Sequence, residues 1–347
     1  MLYHYIKIAF RDLWKHKVQP VFVFSGQVSD KILPNVNYIQ SFNMKFFIIL
    51  FFLLSINVLL FGQPISGTVF ETNSEIPVEY VNIGIVGKNV GTVSDQTGKY
   101  TLQIDPEYHN DTLRFSCIGF HSYSVRVSDF INLNNGNVFL EQRSYGLSEV
   151  VIRPKKVKQK TLGVTTRNKK MVGCFGKYPK FSELPPETRE FIESQTKEFR
   201  EALGMDKDER GREMGMMMKN RNTVFLKEVN IQIASCTFDT VFLRVNIYKA
   251  QKELQLENIL PKPVYINLLK EEVKDKITVD LRHHNLAVEG DFLVTLETLE
   301  IFGNRKSRLC IFANLFGSRS YFRMVSQGTW ERKVGLSISV EVDVEKR

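Results

Sequence analysis

The 347-residue chain is poor in the residues that build most metal and nucleophile sites. It has four cysteines and six histidines. Cys117, Cys174, Cys236 and Cys310 form no Cys-x-x-Cys pair, and no histidine stands at ligand spacing from them, which argues against a zinc site. A His-x-x-Glu motif is also missing. His109 and His121 stand singly and read as surface or packing residues. His283 and His284 are neighbours, and on a strand they would point to opposite faces and could not share one ion. No catalytic residue, metal or cofactor is therefore assigned, and the chain is read as non-enzymatic. Four cysteines permit three pairings, and the spacing does not choose among them. Cys117 falls in an alternating pattern and reads as a small core residue.

Acidic charge is absent from residues 153–170, RPKKVKQKTLGVTTRNKK, which hold eight Lys or Arg. That stretch accounts for most of the net charge of +9 and leaves the remainder close to neutral. A nucleic-acid face, which needs basic charge spread over a folded surface, is not expected. Residues 153–170 read as a basic, solvated linker, with contact to anionic lipid or polysaccharide as the other role open to them.

Long apolar runs are few as well. Phe46 to Phe61, FFIILFFLLSINVLLF, is 16 residues long, short of the roughly 20 that span a bilayer. Lys45 precedes it and Gly62-Gln63-Pro64 follows, the arrangement of a secretory signal over 44–62. A retained inner-membrane anchor over 46–61 is the alternative. No cysteine follows the run closely enough for lipid attachment. Residues 1–43 precede the natural start of such a signal, Met44-Lys45, and are expected to be a start-site extension. A basic amphipathic surface helix is the other reading. Met1 to Lys17 resembles the opening of a bacterial ABC-transporter permease of the macrolide-exporter type.

What the chain does have is short alternating apolar runs between turn residues. Ile65 to Glu71, Val78 to Val86, Gly98 to Ile104, Leu113 to Ile118, Tyr123 to Val127 and Val138 to Leu140 all read as strands, which predicts a small β-sandwich. Asp95 can accept backbone N–H groups within its own turn and Gly98 can take positive φ, so the pair predicts a tight structural hairpin. The order Ile65-Ser66-Gly67-Thr68-Val69, Pro77 to Ile85, Gly91-Thr92-Val93-Ser94-Asp95-Gln96-Thr97-Gly98-Lys99-Tyr100, Leu113 to Phe120 and Leu147-Ser148-Glu149-Val150-Val151-Ile152 resembles a carboxypeptidase regulatory-like domain over 63–152. The resemblance implies a prealbumin-like sandwich and an accessory rather than catalytic role. Such domains often precede a TonB-dependent barrel, which the residues after Ile152 are too few to form.

After the basic segment, residues 171–222 read as a helical or irregular connector. Glu187 to Leu203 is helix-like, with Phe191, Ile192, Phe199 and Leu203 on one face. Met214, Met216, Met217 and Met218 read as packing residues rather than a copper site. Residues 223–347 carry eight strand-like runs and predict a second antiparallel sandwich, of which a jelly roll is one arrangement. Glu213-Met214-Gly215, Phe242 with Asn246-Ile247-Tyr248, Val279-Asp280-Leu281 and Tyr321-Phe322-Arg323 with Ser326-Gln327-Gly328 and Trp330 resemble a region that follows regulatory-like domains in Bacteroidetes proteins. That resemblance implies lineage and an exported, envelope location, with no activity attached.

The candidate ligand-binding residues are Tyr321, Arg323 and Trp330, with Glu297, since aromatics beside an arginine suit sugar or peptide. The competing role for Trp330 is core filling, and for Arg323 a cross-sheet pair with a carboxylate. Arg244 and Glu297 lie in alternating strands, each on the face opposite the apolar positions, and a charge on a covered sheet needs a partner, so the two are expected to pair inside the second sandwich. Together these features predict an all-β, non-catalytic binding or assembly module, periplasmic or at the cell surface. Its partner would be an envelope protein or a glycan, with no nucleic acid. Membrane contact is expected only through the signal or the basic segment. The competing class is a hydrolase, or a hydrolase subunit, acting on peptide or glycan through two carboxylates.

Overall fold

A computed structural model describes residues 63–132, 136–143, 158–164, 172–177, 185–194, 209–250, 256–304 and 306–346. The extension 1–43, the signal or anchor, the closing motif Leu147 to Ile152, and Phe199 and Leu203 of the expected helix lie outside these residues. Among the described residues no helix is long and apolar enough to cross a membrane.

The first module comprises β1 (Gln63–Glu71), β2 (Asn82–Ile85), β3 (Gly91–Val93), β4 (Lys99–Ile104), β5 (Thr112–Ser116), β6 (Tyr123–Arg126), α1 (Val127–Ile131) and β7 (Val138–Leu140). One sheet runs β4-β1-β7 and the other β3-β2-β5-β6. Only β1 and β7 pair in parallel among these strands. The alternation read from the sequence supplies the core: Tyr100, Leu102 and Ile104 of β4 and Leu113 and Phe115 of β5 point inward against Val69, Ile83 and Ile85, as a two-sheet sandwich requires. The run Tyr123 to Val127 is not all strand. It turns helical at Val127, because Val127 and Phe130, three residues apart, both reach the same core.

The Asp95 turn forms as its chemistry predicts. Asp95 Oδ1 accepts from the Thr97 N–H at 2.7 Å, the Thr97 hydroxyl at 2.8 Å and the Lys99 N–H at 3.0 Å, and Gly98 has φ +74°. Burial raises the Asp95 pKa, but these donors outweigh it and hold the carboxyl below its ordinary value. The turn is not a hairpin, however. β3 pairs with β2 and β4 pairs with β1, so it is a corner that carries the chain from one sheet to the other.

The second module comprises β8 (Lys158–Gly163), β9 (Val172–Gly176), α2 (Pro186–Glu193), β10 (Glu213–Met218), β11 (Val224–Cys236), β12 (Thr240–Ala250), β13 (Leu256–Asn258), β14 (Val264–Leu269), β15 (Lys276–Asp280), β16 (Ala287–Val288), β17 (Phe292–Phe302), β18 (Arg308–Arg323), β19 (Glu331–Ile338) and β20 (Val340–Lys346). One antiparallel sheet follows the order β13-β12-β17-β10-β18-β11-β20-β8. It curls on itself as a sandwich around Leu243, Val245, Val294, Leu296, Val229, Ile231 and Val342.

This sheet crosses the boundaries drawn at residues 171 and 223. Lys158 to Gly163, expected as solvated linker, pairs with β20 along its length. Main-chain pairing at a sheet edge needs no apolar periodicity, and Leu162 is the one buried residue of that strand. Cys174 of β9 faces Cys310 of β18 in register, and the two are joined by a disulfide. Cys117 and Cys236 are free thiols. Cys117 lies just past β5, half-buried against the first core. The methionines form β10, between β17 and β18, with Met216 and Met218 in the main core. In α2, Ile192 is buried but Phe191 is 58% exposed, so the expected apolar face is not continuous there.

The two modules meet directly. A Cβ on Gly91 would lie 2.1 Å from the Ser326 carbonyl oxygen, and one on Gly84 would lie 2.5 Å from it. Only glycine lets the backbones come this close. The Gly87 N–H donates to the Gln327 carbonyl at 3.0 Å, and the Gln327 side-chain amide donates to the Ser116 hydroxyl at 2.7 Å. Tyr80 packs on Phe242 and Tyr265, with ring centroids 5.2 and 5.7 Å away. Residues Phe61–Arg347 thus form one compact unit, where the sequence suggests two sandwiches divided by a linker.

Candidate functional site

Four adjacent strands of the second module place a row of charged residues on the sheet face away from the main core. Arg244 of β12 stands opposite Glu297 of β17, Glu297 opposite Glu213 of β10, and Glu213 opposite Arg323 of β18. The side-chain period of two puts these residues on one face and Leu243, Val245, Leu296, Met216 and their neighbours on the other. Arg244 donates through Nε and Nη2 to Glu297 Oε2 at 3.0 and 2.8 Å. Arg323 Nη2 lies 2.6 Å from Glu213 Oε2. Asn246, one pleat on, bridges the two carboxylates, its Nδ2 lying 2.9 Å from Glu213 and 2.8 Å from Glu297. Thr295 donates its hydroxyl to Glu213, and the Tyr248 hydroxyl donates to it at 3.3 Å.

All four charges are buried, so their balance decides whether the face can close. Each carboxylate has a guanidinium, which offsets the several kcal/mol per ion that dehydration costs. Two neighbouring carboxylates cannot hold their protons equally. Burial and the Glu297 charge raise the Glu213 pKa against the pull of Arg323, Thr295 and Asn246. Burial also opposes ionisation of Glu297, but Arg244 and Arg323 outweigh it and lower its pKa.

The row continues across the module boundary. Arg244 Nη1 donates to the Tyr80 carbonyl at 2.7 Å, and Nη2 also donates to Asn82 Oδ1. Beside this contact a cleft of about 400 Å³ opens between the modules. Asn82, Arg114, Ser116, Ile118, Phe120 and Ser122 line it from the first module. From the second, Arg244, Asn246, Tyr248, Asn258, Leu260 and Arg323 complete it, with Gln327 at the junction. Arg143 and Glu257 approach to 3.5 Å across the two sides. The lining of β5 follows from alternation: Leu113 and Phe115 enter the core, which leaves Arg114 and Ser116 facing the cleft.

Residues 65–152 match the CarboxypepD_reg-like domain. This is the segment whose β2 and β5 form one wall of the cleft, and the regulatory-like sandwich is the fold seen there. No curated protein matches the chain. A solved structure described by the promiscuous specificity of carbohydrate-binding modules of the β-sandwich superfamily aligns at 11% identity and a TM-score of 0.17, over 72% of this chain and 91% of that one. A score this low carries no argument about ligand.

The structure gathers the four expected ligand residues around the charge row but divides them. Arg323 reaches the cleft and sits under Trp330, its guanidinium 4.9 Å from the ring centroid. Trp330 also meets Tyr248 edge-on at 5.7 Å. Tyr321 packs with Trp330 and Tyr248, and it lines a separate, smaller cavity rather than the cleft. Glu297 is sealed beneath Arg244 and Asn246 and lines neither cavity. His283 and His284 sit on a 3₁₀ turn, Arg282–His284, and not on a strand. Their rings are 4.1 Å apart, and the described residues contain no cluster of three metal donors. Sequence reading missed Arg114, Ser116 and Asn82 as site residues, because each looks like the solvent face of an ordinary alternating strand until a second module covers it.

Proposed function

We propose that the chain is a non-catalytic binding module of the cell envelope that takes its ligand in the cleft between the two modules. The observation that carries this reading is the cleft itself. It is preformed, about 400 Å³ in volume, and walled by both modules, the setting in which small-ligand sites concentrate. Arg244, Arg323 and Asn246 are held by the two carboxylates behind them, so these groups need little ordering on binding. The Cys174–Cys310 disulfide supports an exported location, since disulfides persist in oxidising compartments. The apolar run of 46–61 supports the same location.

A hydrolase is the second reading, and one observation favours it. Glu213 and Glu297 are adjacent carboxylates whose proton affinities are driven apart, as in acid–base pairs. Against it, both are buried behind Arg244, Asn246 and Arg323 and neither lines the cleft, so a substrate in the cleft meets guanidinium and amide groups first.

Arrays of oligosaccharides and peptides, probed with the wild type and with Ser122→Trp, test the proposal. Ser122 is exposed at the cleft wall, and an indole there should fill the opening. Binding that disappears in the variant is expected. Equal signal from both proteins would place the ligand elsewhere. Turnover of a panel of aryl glycosides and peptide anilides that is lost in Glu297→Gln would establish the hydrolase instead.

A further inference from the structure

We infer that the cleft recognises a carboxylate monoanion on a partly apolar body, with Arg114 as the group that reads its charge. The inference rests on the cleft being the binding site. Four arginines line the cleft, and their surroundings differ. Arg244 and Arg323 are matched by Glu297 and Glu213 beneath them. Arg143 is matched by Glu257 at 3.5 Å. Arg114 has no carboxylate within ion-pair distance among the described residues. Its Nη2 donates to the Ser122 hydroxyl at 3.2 Å, and its Nε is buried without a hydrogen-bond partner. A second donor in the lining is equally idle: the Nε of Arg323, on a residue only 8% exposed, also has no partner.

Charge arithmetic then selects the ligand. With Glu213 and Glu297 both ionised, the matched arginines contribute no net charge to the cleft, and Arg114 leaves one positive charge. A monoanion cancels it, whereas a phosphate group, at about −1.5 to −2 near neutral pH, leaves the cleft negative. A guanidinium presents two parallel N–H donors that fit the two oxygens of a carboxylate. Burying a charge unmatched is costly, so the anion is held most firmly where Arg114 is already half dehydrated. The rest of the lining is not ionic. Ile118, Phe120 and Leu256 are its part-exposed apolar residues, while Ser116, Asn258 and Gln327 offer hydrogen-bonding groups. A chain-terminal carboxylate of a peptide and an acidic sugar both carry this chemistry.

Titration calorimetry on the full chain separates the possibilities, using N-acetyl-leucine, its neutral partner N-acetyl-leucinamide, glucuronate with glucose as its neutral partner, and inorganic phosphate. At least one acid should bind about tenfold or more tighter than its neutral partner, as expected for a charge-assisted hydrogen-bond pair. Phosphate should bind more weakly than that acid. Arg114→Gln should abolish the preference for the acid while leaving the circular dichroism unchanged. Arg114→Lys should retain part of it, since the charge remains and the fork is lost. Preference for N-acetyl-leucine identifies a peptide terminus, and preference for glucuronate an acidic sugar. Equal affinity for acid and neutral partner, or an acid preference that survives Arg114→Gln, overturns the carboxylate assignment while leaving the cleft as a binding site. If no probe binds, and the array signal is indifferent to Ser122→Trp, both readings fall.

Discussion

At the scale of single residues, Arg244 has the most to lose. Its guanidinium serves Glu297, the Tyr80 carbonyl and Asn82 at once, and no water can replace it at 1% exposure. Arg244→Met leaves Glu297 buried and unpaired. The expected loss is about 3–5 kcal/mol, read from urea denaturation. A cycle with Glu297→Met should give a coupling above about 1 kcal/mol, the upper range of exposed pairs. The pH dependence has a definite sign. Glu297 has a lowered folded pKa, so its ionised form adds stability above the ordinary carboxylate value that is lost as pH falls through the lower folded value. Glu297→Gln should therefore be less stable than wild type at neutral pH, and the gap should shrink below about pH 4. Glu213 works oppositely: its pKa is raised, so ionising it costs stability as pH rises. This pairing of Arg244 with Glu297 is legible in the sequence because both charges sit on strands that alternate, opposite their apolar face, and a covered sheet demands a partner. Their register cannot be read there, and although a cross-sheet carboxylate partner for Arg323 is legible, its identity is not, since Arg323 meets Glu213 across strands 110 positions apart in the chain.

At the scale of elements, most regulatory-like strands were legible, because their inward positions repeat every second residue between turn residues, though β2 is shorter than Val78 to Val86 and the three-residue β3 leaves too little alternation to see. The polar outward positions of β2 and β5 were not. Asn82, Gly84, Arg114 and Ser116 look like solvent positions, and only the second module makes them an interface. β8 was hidden for a related reason: an edge strand held by main-chain bonds to β20 leaves little apolar trace. The glycines of the interface carry a direct test. Gly91→Ala puts a methyl group 2.1 Å from a backbone oxygen, and backbone cannot swing aside as a side chain can. Overpacking of this kind costs about 1–3 kcal/mol. The melting temperature should fall. Gly290→Ala, with nothing near but positive φ, serves as the strained control without a contact.

At the scale of the molecule, the cross-module bonds predict cooperation. Tyr80, Arg244 and Gln327 tie the sandwich of residues 63–143 to the larger sheet. Scanning calorimetry should show one unfolding transition for the pair, and Arg244→Met should split or broaden it. Two separate transitions in the wild type would mean the interface is too weak to couple them. The disulfide acts at the same scale. Cys174 and Cys310 lie 136 residues apart, and the cleft's β12 wall, Glu213, Asn258 and Glu297 all fall inside the ring they close. A protease that cuts this ring once produces no separate fragment. The two parts stay joined through the Cys174–Cys310 bond between neighbouring strands, the ligand groups remain on one covalent body, and damage that would halve an open chain leaves this one a single particle until something reduces it.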